Sequence, residues 1–300
     1  MSPRFARSAL LVWLLVFLLF SPHALAQDDE PEEPDFFFLT GGPYTQKKSS
    51  PQIIWANQWL RSRSDGVSTR DYVGAGRAEW GLTDRWEIDF EFGALAFKER
   101  VAGTTTFAEH GADDLLFGVR YRLLREGSAP ITLTMGPQVI APVASRARGL
   151  GTGEVGYAWD IAAAKDWGGP VFLVASVNLG LTPNVPAFSD GSGPEFDLSS
   201  VEWATALGWR ALERPATGGA HHDIHVLFEV GGARADDIDA GTRVRATEVQ
   251  FSPGLRYGYL SRWGSLTEIG VAFPVGLSRN SPDWGVILQV QFELAPIFAK

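Results

Sequence analysis

The 300-residue chain carries 26 basic and 35 acidic residues, 33 glycines, 19 phenylalanines and no cysteine. Its acidic balance gives nucleic acid no electrostatic footing, and the lack of cysteine excludes disulfide bracing. After residue 26 no apolar stretch reaches the length of a membrane-spanning helix.

Residues 1–26 read as a signal peptide. Arg4 and Arg7 form a basic start, residues 9–20 (ALLVWLLVFLLF) are unbroken apolar, and Ala24-Leu25-Ala26 supplies a small-x-small cleavage pattern before Gln27. The apolar run is short for a membrane span. Its removal leaves 24 basic against 35 acidic residues, a net charge of −11. Residues 27–50 form an acidic, largely disordered N-terminal segment on this reading, because QDDEPEEPD is charged and Pro-rich. FFFL (36–39) and a Gly41-Gly42-Pro43 turn follow, and this stretch either plugs or braces the fold or acts as a sticky tether.

From residue 52 onward one unit recurs, ten to fourteen alternating residues and then a turn. The predicted strands span about 52–62, 69–81, 86–98, 113–124, 130–142, 154–166, 170–181, 200–211, 222–233, 244–259, 265–276 and 284–295. Only VEWATALGWRALE (201–213) could pass for a short helix. The connections alternate in character. One set is mostly tight (LTDR, REGS, WGG, LSRWG), with LERPATGGAH as its long member. The other is longer and more polar: RSRSDGVS, ERVAGTTTFAEHGA, ASRARGLGTG, TPNVPAFSDGSGPEFDLS, ARADDIDAGTR and SRNSPD. Short turns on one rim and long loops on the other is how bacterial outer-membrane barrels are strung, and strands of this length suit a tilted crossing of a bilayer.

Each strand has one bulky apolar face and one polar face. In GLTDRWEIDFEFGALAF (81–97), Ile88, Phe90 and Phe92 oppose Glu87, Asp89 and Glu91. Leu115, Phe117, Val119 and Tyr121 likewise oppose Arg120 and Arg122, and Leu288 and Phe292 oppose Gln289 and Gln291. Periodicity alone fits a soluble sandwich as well as a membrane barrel. Three features favour the barrel. Tyr72, Trp80, Trp203, Trp209, Tyr257, Tyr259 and Trp284 lie near the ends of the apolar faces, as interfacial girdles require. Arg77 and Glu79 should approach Glu87 and Asp89, and those acids Arg120 and Arg122, as a ladder of opposite charge inside a lumen. An exported chain closed into a barrel also leaves no exposed sheet edge. The expected fold is all-β: a monomeric transmembrane antiparallel up-and-down barrel of about twelve strands over residues 51–300, set in the lipid of the bacterial outer membrane. The expected lumen and selectivity residues are Arg77, Glu79, Glu87, Asp89, Glu91, Arg120, Arg122, Asp160, Glu229 and Arg256.

GLTDRWEIDFEFG, GADDLLFGVRYRLL and GTGEVGYAWDIAAAKDWG resemble an outer-membrane family associated with the meta-pathway of phenol degradation and described as transporters. The matching positions are Gly111, Asp114, Gly118, Tyr121 and Arg122, then Gly151, Thr152, Gly153, Lys165, Asp166 and Trp167. The resemblance runs from about residue 70 to the C-terminus and implies a barrel passing small solutes, aromatic or hydrophobic ones among them, with no catalytic residues. The chain departs from the usual terminal aromatic by ending APIFAK, so either a short tail follows the signal or the last strand stops near Phe292.

Candidate chemistry is sparse. His221, His222 and His225 could ligate a metal, but on a strand His222 and His225 point to opposite faces. His110 has no serine close by in sequence to activate. GLGTG (149–153) lacks the Lys-Ser/Thr of a phosphate loop, and Asp236, Asp237 and Asp239 read as a solvated loop before they read as a Ca²⁺ site. The expectation is therefore a channel for small solutes, with no enzymatic activity, metal, cofactor or nucleic-acid partner. A closed-lumen structural or surface-interaction barrel is the alternative, and an outer-membrane lipid hydrolase stands behind it.

Overall fold

The computed structural model describes residues 36–64, 67–102, 105–148, 150–215, 220–261 and 263–295. The expected signal peptide and the acidic stretch 27–35 lie outside them. The strands are β1 (Pro51–Ser64), β2 (Val67–Gly81), β3 (Trp86–Ala102), β4 (Thr105–Gly111), β5 (Leu115–Leu124), β6 (Thr132–Ala141) and β7 (Gly156–Asp166). They continue with β8 (Val171–Pro186), β9 (Glu195–Pro215), β10 (His221–Asp239), β11 (Thr242–Leu260), β12 (Leu266–Ala272), β13 (Val275–Gly276) and β14 (Trp284–Glu293).

Twelve of these pair antiparallel in chain order and close on themselves, β14 returning to β1 in the register Gln52↔Glu293 to Arg61↔Trp284. β4 folds back on β3, and the two-residue β13 carries β12 onward past a break at Phe273 and Pro274, where proline has no N–H to give the ladder. Because each strand pairs with its neighbour, the described ladders bond within the wall, as hydrocarbon demands.

The wall is apolar outside and polar inside. Phe90, Phe117 and Leu288 are 42%, 50% and 43% exposed, whereas Glu87, Glu229 and Gln291 are fully buried. The residues assigned to girdles from sequence point outward too: Trp80, Trp203, Trp209, Tyr257, Tyr259 and Trp284 are exposed. The last strand ends at Glu293, with Phe292 facing out and paired to Ile53 and Thr267; residues 296–300 lie outside the description.

VEWATALGWRALE, the stretch that could pass for a helix, lies wholly in β9. Several expected loops are strand as well. TPNVPAFSDGSGPEFDLS is largely the tall end of the β8–β9 hairpin, and ERVAGTTTFAEHGA contributes to the β3–β4 hairpin. ARADDIDAGTR is the tip of β10–β11, turning at Ala240-Gly241 with φ of 47° and 78°. Two successive positive φ values match the twist of a tight hairpin. Beyond the bilayer both faces of a strand meet water, so the polar–apolar alternation fades and the sequence reads as loop.

Residues 36–50, counted in the lead-in expected to be largely disordered, cross the lumen. Their first aromatics find a small apolar cluster within the polar bore: Phe37 and Tyr44 pack with Ala164, Phe172, Val174, Ala206 and Leu227. Phe172 packs its ring tip on Gly208, where any Cβ would stand 2.0 Å from the ring. The segment leaves by the short-turn rim, where Ser49 N donates to Gly81 O (2.8 Å) and Gly81 N to Ser50 O (3.4 Å), and then becomes β1.

Candidate functional site: the lumen and its N-terminal segment

The charged belt begins on β2 and β3, whose register sets Arg77 opposite Glu91 and Glu79 opposite Asp89. Alternation turns all four inward. Arg77 Nε lies 2.9 Å from Glu79 and its Nη2 3.6 Å from Asp89. On β5, Arg120 reaches Glu87 at 3.1 Å and Asp160 of β7 at 3.5 Å. The ladder expected from sequence is thus present for Arg77, Glu79, Glu87, Asp89 and Arg120, and Asp160 extends it. Arg122 adds a different role, donating to the Thr45 hydroxyl (3.0 Å) and carbonyl (2.7 Å) of the crossing segment.

On the opposite wall Arg256 bonds Asp223 and Glu268, and its Nη1 lies 3.0 Å from His225 Nδ1. This cluster sits below Glu229, and neither Asp223, His225 nor Glu268 had been singled out for the lumen. Their parity within β10 and β12 was the available signal.

The N-terminal segment is tied at nearly every residue. Glu229 accepts from Phe38 N (2.8 Å), Leu39 N (2.9 Å), Thr40 N (2.9 Å) and Thr40 Oγ1 (2.9 Å). Gly41 N donates to Ser176 Oγ at 3.0 Å. The Gly42 carbonyl accepts from Arg120, and the Pro43 carbonyl from the Thr134 hydroxyl. Gln46 N donates to Glu87 at 2.6 Å. An extended chain pairs with no neighbour of its own, so its buried polar groups need such partners.

Above the segment the lumen holds a cavity of about 650 Å³. Phe37, Phe38, Leu39 and Tyr44 contribute to its lining, together with Arg77, Arg120, Glu79, Glu91, Asp160, Glu202 and Glu248. Among the described residues, Glu91, Glu202 and Glu248 have no cation within 4.0 Å. Glu202 and Glu248 are lumenal residues that sequence reasoning missed, although Glu202 alternates with the outward Val201 and Trp203.

Carboxylates of Glu79, Glu87 and Asp89 lie within 4.8 Å of one another, a set of hard oxygen donors. The guanidiniums of Arg77 and Arg120 already supply counter-charge there. The histidines of HHDIH do not converge: His222 faces out, its Nδ1 2.6 Å from Tyr257 Oη, and His225 faces in. His110 is on β4, where its carbonyl accepts from Arg148 at 3.2 Å. Asp236 is held by Arg245 at 2.6 Å and Arg243 at 2.7 Å.

No protein-family model matches the chain, and no curated protein sequence matches it. Solved structures do resemble it. An outer membrane channel from Pseudomonas putida F1 superposes with a TM-score of 0.59 at 14% identity, over 88% of this chain and 100% of that one. The beta domain of the Bordetella autotransporter BrkA gives 0.51 at 12% identity, over 82% of this chain and 99% of that one. At such identities the likeness concerns the fold: a closed twelve-stranded antiparallel barrel of the outer-membrane kind.

Proposed function

We propose that this chain is a monomeric channel of the bacterial outer membrane, passing small solutes through a lumen narrowed by its own residues 36–50. The carrying observation is the cavity of about 650 Å³ inside a wall that is apolar outside and charged within. Twelve strands enclose more space than their side chains fill, unlike eight, and the likeness to a channel fold supports the reading. The ten lumenal residues anticipated from sequence serve electrostatic selection and wall structure on this proposal, and none is catalytic. Glu79, Glu91, Asp160, Glu202 and Glu248 outnumber Arg77 and Arg120 around the cavity, which favours cations over anions. Phe37, Phe38, Leu39 and Tyr44 make the segment side of the cavity apolar, which suits an aromatic or hydrophobic solute, the class implied by the meta-pathway resemblance.

One observation favours a closed lumen instead: the dense hydrogen bonding of residues 38–46 to the wall. Planar-bilayer conductance of the full chain, beside a chain lacking residues 27–46, separates the two. Current through the full chain supports the channel. Current only after truncation supports the closed barrel. Silence from both, with each folded by its gel mobility before and after boiling, refutes the channel.

A further inference from the structure

We propose that the outward face of β1 and β2, at the long-loop rim, binds the phosphate groups of outer-leaflet glycolipid. The register sets Arg61 directly opposite Arg70, and Arg63 follows two residues further out, opposite Ser68. All three share the face of Ile53 and Trp59, which are exposed to lipid. Like charges placed opposite one another on neighbouring strands repel, so this pair calls for an anion. Arg70 has one, Glu99 at 3.2 Å, and still leaves 63% of its side chain exposed. Arg61 and Arg63 have no ion pair among the described residues, and Arg63 is exposed. Among the described residues Glu99 is the acid facing Arg70 in register; Asp71, opposite Leu60, has the inward parity, and Asp283 meets Arg61 through its backbone, N to O at 2.7 Å.

Height in the membrane selects the ligand. Immediately inward of Arg61 and Arg70 lie Trp59 and Tyr72, with ring centroids 5.2 Å apart, and Trp284 pairs with Arg61 on the other side. Such rings mark the headgroup level. The guanidiniums therefore stand one residue pair beyond the girdle, at the depth of lipid phosphates, and their forked donors suit phosphate oxygens. The face continues without a step into the apolar wall, where a lipid's acyl chains lie.

The β10–β11 tip, elsewhere on the long-loop rim, provides the contrast. Arg243 and Arg245 close on Asp236, which also accepts from Ser199 Oγ at 2.8 Å. That tip neutralises itself, whereas the outward face of β1 and β2 sets three arginines against Glu99 of β3; Asp71 has the inward parity of Arg77, and Asp65 lies outside the described residues. The inference rests on the outer-membrane reading proposed above, takes the short turns as periplasmic and the long loops as outward, as in bacterial outer-membrane barrels, and is independent of conduction.

The test uses the full chain refolded in detergent, titrated by native mass spectrometry with bis-phosphorylated lipid A, with its dephosphorylated form, and with inorganic phosphate. Folding of each variant is read from gel mobility before and after boiling, so a misfolded barrel is not mistaken for a lost site. The wild type should prefer the bis-phosphorylated lipid on the order of a hundredfold, about fivefold for each arginine. The triple variant Arg61→Gln, Arg63→Gln, Arg70→Gln should lose that preference, and Arg234→Gln on β10 should keep it. A folded triple variant with the preference intact, or a wild type with none, overturns the proposal. So does displacement of the lipid by millimolar inorganic phosphate, which would mark a site for free anion.

Discussion

Replacing Glu229 with Gln tests whether the crossing segment is held in place by chemistry or merely lodged. In the wild type three successive backbone N–H groups and one hydroxyl converge on its two carboxylate oxygens, all at 2.8–2.9 Å. This is an anion nest made by the segment around a wall residue. Glutamine keeps one oxygen and turns an amide NH₂, itself a donor, toward a backbone N–H. Hydrogen bonds to charged groups contribute about 1.5–3 kcal/mol each. Losing one outright, and the charge from the rest, sets the change near 3 kcal/mol, on the order of a hundredfold in the ratio of displaced to seated segment. The chain has no cysteine, so Leu39→Cys gives a single thiol whose labelling rate reports exposure of the segment. In the Glu229→Gln background that rate should rise by about two orders of magnitude, with open-state lifetimes in bilayers lengthening in parallel. A folded variant labelled at the wild-type rate would refute the idea that Glu229 holds the segment.

The wall makes its own prediction. Phe90, opposite Phe117 and Ala78 and four residues from Trp86 at the short-turn end of β3, stands near mid-membrane. Phe90→Arg should cost about 2–4 kcal/mol and suppress the folded gel band, while Glu91→Gln, one residue on and facing inward, should assemble normally. Converting Glu91, Glu202 and Glu248 together to Gln should move the reversal potential in a salt gradient toward that of a non-selective pore; an unchanged potential would show that these acids do not face the permeating ions. At the β10–β11 tip, the hydrogen bond from Arg245, then those from Ser199 and Arg243, hold the Asp236 carboxyl below the ordinary carboxylate range. A depressed pKa adds stability that is fully present above the unfolded value, about 4, and is lost as pH falls toward the folded value. Hydrogen exchange at the tip, corrected for intrinsic rate, should therefore hold steady from neutrality to about pH 5 and quicken below about pH 4; Asp236→Asn should be loose throughout and lack that step.

Inside and outside were legible because one rule, alternation, governs every spanning strand. Glu87 and Phe90 differ only in parity, and parity was enough to send one to the bore and the other to lipid. The cross-strand charges came with it, since hairpin neighbours fix Arg77 against Glu91 and Glu79 against Asp89 to within a residue. Hairpin tips were less legible, because β10 and β11 outgrow the bilayer and lose the contrast that lipid imposes. The N-terminal segment was least legible of all. Its partners Glu229, Ser176, Arg120 and Thr134 lie on four different strands, far off in sequence. Acidic, Pro-rich residues 27–35 also lend their character to the neighbouring residues 36–50 when composition is read over a window. The lone clue was FFFL, an apolar run with no strand period, and composition cannot say whether such a run finds a core.

The segment and the polar wall explain one another. A buried carboxylate such as Glu229, or a guanidinium such as Arg122, costs several kcal/mol unless it is paired and hydrogen-bonded. Eight strands would let side chains from opposite walls meet and satisfy such groups directly; twelve set the walls too far apart. Water or a length of backbone must bridge the gap, and backbone offers donors and acceptors in equal number. Residues 38–40 give three N–H groups to the anion on β10, and Gly42, Pro43 and Thr45 give carbonyls to Arg120, Thr134 and Arg122 on the facing wall. The segment thus turns donors to Glu229 over residues 38–40 and acceptors to Arg120, Thr134 and Arg122 over residues 42–45, before Gln46 N donates again, to Glu87. Reversing one end alone, as a basic residue at position 229 would, should expel the segment without disturbing a barrel whose strands pair with one another around the wall.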